Sequence, residues 1–222
     1  MPKPQRAMQL IFAFHGDPED YVRTDAHLNV SRPSACPNCL ESGVMRALGY
    51  YSRWVSIKSR QRTSRIKVRR FRCHACRGTT SMLPDFAQPY RLVATDTVEQ
   101  YLGGLRSSES VSVWTDLLGG YQRRFEDRLS DTRSVLYSAY GLADLPRTAV
   151  AFWCEICGCF GGARFLTARL AGDVGATVFG IYRCHHPAGK LPVHTTGVFT
   201  YGRAPPTLSH GHDNNPGTNP WH

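Results

Sequence analysis

Acidic residues are missing from a long central window of this sequence. Between Ser42 and Pro84 there is no Asp or Glu, while Arg46, Arg53, Lys58, Arg60, Arg62, Arg65, Lys67, Arg69, Arg70, Arg72 and Arg77 are all present. That window alone exceeds the +10 net charge of the 222-residue chain, so the remainder is close to balanced. A solvated protein face usually mixes both signs, so an acid-free window points to a polyanionic partner, a merely soluble basic hairpin being the plainer alternative. Long apolar runs are also missing. The best candidate, Ala149 to Phe160, carries Glu155 and falls short of the roughly 20 residues a membrane span needs. Lys3, Arg6 and the apolar run Ala7 to Phe14 faintly suggest a signal peptide, but His15-Gly16-Asp17 follows with no small-x-small cleavage site. The expectation is a cytoplasmic protein with reduced cysteines and no membrane partner, in which Met8 to Phe14 is a short strand. There is no internal repeat. A composition of 41% apolar and 20% charged residues excludes wholesale disorder and a collagen-like chain.

What is present in excess is cysteine, with eight residues. Cys36-Pro37-Asn38-Cys39 and Cys73-His74-Ala75-Cys76 are two C-x2-C pairs separated by 33 residues. Each pair can supply two thiolates from one tight turn, and four thiolates satisfy a tetrahedral Zn²⁺ with no position left open for water. One structural zinc at Cys36, Cys39, Cys73 and Cys76 is therefore expected. Unliganded core cysteines or a redox pair are the alternatives, but neither accounts for two copies flanking one hairpin, and no βαβ pattern precedes either pair. Gly43 and Gly78 are expected to let the chain leave the two turns. Cys154, Cys157, Cys184 and His186 make a weaker second set, for which core cysteines are the default.

The basic window has strand character. Tyr50 to Ile57 and Arg65 to Arg69 read as two strands, joined through Lys58 to Ser64 without an Asn-Gly or Asp-Gly turn signal. Nucleic acid is preferred to a membrane surface because the basic residues alternate with Ile66, Val68 and Phe71 at period two rather than 3.6. Candidate phosphate contacts are Arg53, Lys58, Arg60, Arg62, Arg65, Lys67, Arg69, Arg70 and Arg72, with Arg65, Lys67 and Arg69 on one face. Trp54 is placed under the sheet rather than against an unpaired base. Leu83 to Tyr90, with two prolines, reads as an extended connector.

Helical pattern begins at Asp96, which forms a capping-box-like start with Glu99 and is followed by Val98, Tyr101, Leu102 and Leu105 on one face. A second helix carries Val111, Trp114, Leu117 and Leu118, with Trp114 expected in the core. Gly119-Gly120 punctuates it, and Tyr121 to Leu129 reads as a third helix. A helix-turn-helix and a plain packing bundle fit equally well. Beyond Arg147 the pattern weakens: Phe152, Trp153, Phe160, Phe165, Leu166 and Leu170 are core candidates, and Ala176 to Tyr182 a strand candidate. Only Asp173 and Asp213 are acidic after Glu155. Arg203 to His222 reads as a disordered tail.

The series Cys36-x2-Cys39, Gly49-Tyr50, Arg53, Ile66-x-Val68-Arg69-Arg70-x-Arg72-Cys73-x2-Cys76 and Thr80-x2-Leu83-Pro84-Asp85-Phe86-x2-Pro89-Tyr90 resembles the N-terminal zinc ribbon of insertion-sequence transposases. It also resembles related short, uncharacterised bacterial proteins. The resemblance covers about a quarter of the chain and implies a zinc ribbon followed by a helix-turn-helix that binds DNA. In the second helix, Ser110-Val111-Ser112-Val113-Trp114 keeps only Val111 and Trp114 of the family's Thr-Val-Arg-Arg-Trp-like pattern. Strand transfer needs a carboxylate triad on an RNase H-like domain, and Asp131, Asp144, Glu155, Asp173 and Asp213 stand in no such setting.

The fold class expected is α+β: an N-terminal strand and linker (1–35), a zinc-ribbon hairpin (36–90), a helix-turn-helix-like part (91–146), a Cys-containing region (147–202) and a poorly ordered tail (203–222). The function expected is DNA binding in, or derived from, transposition, without strand-transfer activity. RNA is not excluded, and an adaptor module binding a protein or RNA partner is the competing class.

Overall fold

A computed structural model describes residues 8–57 and 62–181. Lys58, Arg60, Cys184, His186 and the expected tail lie outside them.

The chain is α+β. Strands β1 (Met8–Phe12), β2 (Met45–Ser56), β3 (Thr63–Cys73) and β4 (Thr79–Pro84) form a sheet in the order β1-β4-β3-β2. β1 runs parallel to β4, and the other pairs are antiparallel. Pro84 ends β4, where its missing N–H costs no ladder bond, so Leu83-Pro84 belongs to the sheet rather than to a connector. Before the hairpin come α1 (Pro18–Arg23) and a short 3-10 turn, Ala26–Asn29. Asp17 and Asp20 form a reciprocal capping box at the start of α1, with Pro18 in the first turn.

Period-two alternation decides which side of the sheet each residue faces. On the inner face Ile11, Val55, Ile66, Val68 and Leu83 pack with Tyr21 and Phe86. On the outer face Met45, Phe71, Cys73 and Met82 pack with Cys36. Met45 and Val55 are both odd-numbered yet lie on opposite faces. An unpaired Leu48 makes the difference: Ala47 pairs with Phe71 and Gly49 with Arg70, so one extra residue bulges from β2 and reverses its phase.

Below the sheet lie α2 (Thr95–Leu102), α3 (Glu109–Ser112), α4 (Thr115–Asp127), α5 (Leu129–Tyr140), α6 (Ala149–Phe160) and α7 (Ala163–Val174), followed by a small hairpin of β5 (Ala176–Thr177) and β6 (Gly180–Ile181). Val98, Leu118, Phe125, Leu136, Phe152, Trp153, Ile156 and Leu166 are fully buried in one core. α7 joins this core through Leu166 and Leu170, and Ala168 and Ala171 on the same helix pack against the inner face of the sheet. Its small residues permit that close approach. Among the described residues no single helix is long and apolar enough to cross a membrane.

Several local expectations are corrected. α4 runs straight through Gly119-Gly120, because Leu118, Tyr121 and Phe125 share a buried face whose packing outweighs about 1 kcal/mol of helix propensity lost per glycine. The break falls instead at Val113-Trp114, and Trp114 is only half-buried, while Leu117 is exposed. Leu105 lies past the end of α2 and is exposed, and Phe165 on α7 is also exposed. The capping box at α2 does not form: the helix is capped by Ala94 without a side-chain bond. Asp96 pairs with Arg164, and the Glu99 carboxylate accepts from the Ala163 N–H at 3.2 Å, capping α7 instead of its own helix.

Candidate metal centre and basic sheet face

The two C-x2-C turns fold alike. In the first, Leu40 N–H donates to the Cys36 carbonyl (2.8 Å) and Cys36 N–H to the Glu41 carbonyl (2.9 Å). In the second, Arg77 N–H donates to the Cys73 carbonyl (3.1 Å) and Cys73 N–H to the Gly78 carbonyl (2.9 Å). Leu40 and Arg77, each following the second cysteine of its pair, take φ of 62° and 63°. The left-handed step therefore falls on these two residues and not on Gly78. Gly78 is needed for room instead, since a Cβ there would lie 3.3 Å from Cys76 Sγ.

The four sulfurs lie within 4.8 Å of one another. Cys36 Sγ is 3.7 Å from Cys76 Sγ, and Cys39 Sγ is 3.6 Å from Cys73 Sγ, so each close pair takes one atom from each turn. A tetrahedron with metal–sulfur bonds of about 2.3 Å has edges of about 3.8 Å. The spacing and the all-thiolate donor set fit a metal ion held by Cys36, Cys39, Cys73 and Cys76. The first cysteine of each turn is buried and the second faces solvent or nearly so, which leaves the centre at the surface of the small outer-face core.

Polar hydrogens already converge on the sulfurs. Asn38 N–H reaches Cys36 Sγ at 3.4 Å, Cys76 N–H reaches Cys73 Sγ at 3.4 Å, and Asn38 Nδ2 donates to Cys76 Sγ at 3.2 Å. Burial works against ionisation of Cys76, but the Asn38 amide, the Gly78 backbone and the neighbouring thiols outweigh it and bring the thiol down to about 7. Cys36, buried like Cys73, is pushed up to about 12 by burial. The role of Asn38 was not read from the sequence. An amide side chain between the cysteines of a C-x2-C turn was the available signal, since it is the one polar side chain there able to fold back on the sulfurs.

Beyond the metal centre the outer sheet face is open. Cross-strand pairs Tyr50–Arg69, Ser52–Lys67 and Trp54–Arg65 place these six side chains together. Arg65 and Lys67 are exposed, Arg69 half-buried, and Tyr50 and Trp54 are 51% and 54% exposed. Trp54 is thus outside the sheet, not under it. The phase of β2 after the Leu48 bulge turns the odd-numbered Tyr51, Arg53 and Val55 inward and the even-numbered residues outward. Lys67 Nζ sits 5.0 Å from the centre of the Tyr50 ring, and the buried His27 packs edge-on against the same ring. Burial lowers the His27 pKa, and Lys67 and Arg69 reinforce this against the opposing pull of Asp25.

The other candidate phosphate contacts are scattered. Arg53 turns inward and donates through Nη2 to the Gln88 carbonyl at 3.0 Å and to the Arg91 carbonyl, so it holds the following loop. Arg70 and Arg72 lie on the face opposite Arg69, with Arg46 paired across from Arg72. Arg62 is exposed at the start of β3. In the weaker cysteine set, Cys157 is buried on α6 and Cys154 exposed beside it. Among the described residues, Cys36, Cys39, Cys73 and Cys76 are the one cluster of potential metal ligands.

A protein-family profile matches residues 36–116, from the first ligand cysteine into α4, and is described as a domain of unknown function, DUF6431. No curated protein and no solved structure matches the chain.

Proposed function

We propose that this protein is a zinc-ribbon DNA-binding protein of the kind found in transposases, acting in transposition or derived from it without strand-transfer activity of its own. The observation that carries the reading is the grouping of Arg65, Lys67 and Arg69 on one open sheet face, in a hairpin whose two strands contain no carboxylate. Zinc is the metal that suits four thiolates at tetrahedral spacing. With no ligand position left free, its task is to hold the hairpin. The polyanion supplies the charge this face lacks, and phosphate neutralisation gives binding a steep dependence on salt. An apolar protein interface would not behave so, which separates this reading from that of an adaptor. The test is titration of zinc-loaded protein against duplex DNA at several salt concentrations. Affinity that falls linearly on a log–log plot supports the reading, and salt-independent binding or none at all overturns it.

A further inference from the structure

Of the six side chains on the open outer face, Trp54 is the one whose exposure the fold does not explain. Tyr50 has its ring taken up by Lys67 and His27, at the end of the face closed by the 3-10 turn. Asp25 on that turn lies 3.7 Å from His27 and makes this end less positive. Trp54 stands at the other end. Among the described residues no aromatic ring or cation packs on its indole, and Arg65 is its direct cross-strand neighbour. An indole left uncovered in this way is a large apolar surface held in water beside positive charge.

Behind Trp54, Arg65 and Lys67 the inner face of the same hairpin is closed, and it opens only toward the exposed Arg46 and Arg72 at the metal-centre end. Val55, Ile66 and Val68 are completely buried against Tyr21, Leu83 and Phe86. The one open face of a two-stranded ribbon can meet the major groove of a duplex, where base edges are read. A flat aromatic ring next to cations matches a different feature of nucleic acid, the face of an unstacked base with its adjoining phosphates. In a duplex those base faces are hidden by stacking.

Taking the proposed DNA binding as given, we infer that the open end of this face is a stacking platform for unpaired DNA, with a base on Trp54 and the neighbouring phosphates on Arg65 and Lys67. Ser52, the cross-strand partner of Lys67 and the next outward residue on β2 after Trp54, is small and exposed, so no bulky side chain separates the indole from Lys67 on that strand. The wild-type protein then prefers single strands to duplex, and the preference resides in the indole.

The experiment uses the full-length zinc-loaded chain, with a labelled oligothymidine and a blunt duplex of equal length as probes, read by fluorescence anisotropy. Trp54→Ala weakens oligothymidine binding about tenfold and leaves duplex binding unchanged, while Trp54→Phe retains most of the affinity. Oligothymidine also quenches tryptophan emission in the wild-type protein and not in Trp54→Phe, a readout that does not require the alanine variant to fold. If Trp54→Ala leaves oligothymidine binding intact, or weakens both probes equally at unchanged zinc content, the platform is overturned while salt-dependent duplex binding still upholds the parent reading. Failure of wild-type protein to bind either probe at low salt overturns both.

Discussion

Arg164 of α7 grips Asp96 of α2 in a forked pair, Nε to Oδ1 at 2.7 Å and Nη2 to Oδ2 at 2.6 Å. Its remaining nitrogen, Nη1, donates to the Phe14 and Gly16 carbonyls at 3.2 and 3.0 Å and lies 3.5 Å from Asp85 Oδ1. One guanidinium therefore ties the loop after β1, the turn after β4 and the start of α2 to the last long helix. Arg164→Gln leaves two carboxylates without their counter-ion, and a loss of about 3 kcal/mol of stability is expected from denaturant melts. A change within about 0.5 kcal/mol, the range typical of surface substitutions, would show that the cluster is only peripheral.

Asp85 gives this cluster a pH signature. Burial raises its carboxyl to about 6, against the pull of Arg164. A carboxyl that holds its proton more tightly in the folded than in the unfolded chain contributes stability that is complete below about pH 4, the unfolded value, and is lost as pH rises through about 6. Asp85→Asn cannot ionise, so the variant should gain on wild type between pH 5 and pH 7. Parallel thermal melts at the two pH values, in the same metal state, measure the difference. An offset between the two proteins that does not change with pH would contradict the assignment.

At the metal centre, elemental analysis should find one zinc per chain, and Cys73→Ser should abolish it and unfold the hairpin end of the sheet. Well under one zinc in wild type would dismiss the site. Two would bring Cys154, Cys157, Cys184 and His186 back into consideration. Asn38→Ala keeps all four ligands and should retain zinc, releasing it faster to a chelator because Cys76 loses its amide donor.

On the basic face, alanine at Arg65, Lys67 and Arg69 together should lower duplex affinity and flatten the log–log salt slope by about 3. Arg53→Ala is the internal contrast. Its guanidinium is committed to the Gln88 and Arg91 carbonyls, so it should lower the melting temperature and leave the slope unchanged.

In the helical core the two tryptophans should separate. Trp153 is 1% exposed and donates its indole N–H to the Glu99 carbonyl at 3.1 Å, so Trp153→Ala should cost about 3–5 kcal/mol. Trp114 is half-buried at the α3–α4 break, and its replacement should cost clearly less. Equal losses in chemical denaturation would refute the ranking.

How much of this was legible in the sequence varied with how local the cause was. The paired C-x2-C turns and the alternating Arg65 to Arg69 strand report short-range geometry, and both are present as read. Asp96 and Glu99 formed a locally correct capping pattern, but their partners, Arg164 and Ala163, stand more than 60 residues away and take both carboxylates. Gly119-Gly120 looked like a stop because propensity is a property of single residues, whereas the face made by Leu118, Tyr121 and Phe125 belongs to the whole helix. α6 was hard to read for the opposite reason: Ala149 to Phe160 is so largely apolar that its sequence carries little amphipathic contrast, although the helix buries only the stripe of Phe152, Trp153, Ile156 and Cys157. The outward position of Trp54 depended on Leu48, a single unpaired residue that alternation alone does not reveal.

That unpaired residue makes position 48 the one place in β2 where the strand can lose a residue without changing its register. Without Leu48, Ala47 would be followed directly by Gly49, and the pairs Ala47–Phe71, Gly49–Arg70 and Tyr50–Arg69 would run as unbroken alternation. Met45 would stay beneath the sulfur cluster, and Tyr50 and Trp54 would stay on the outer face. Such a deletion removes only the local bend and added twist of the bulge. A one-residue deletion between Tyr50 and Trp54 that kept the bulge would instead turn one end of the strand over, separating the metal centre from the face beside it.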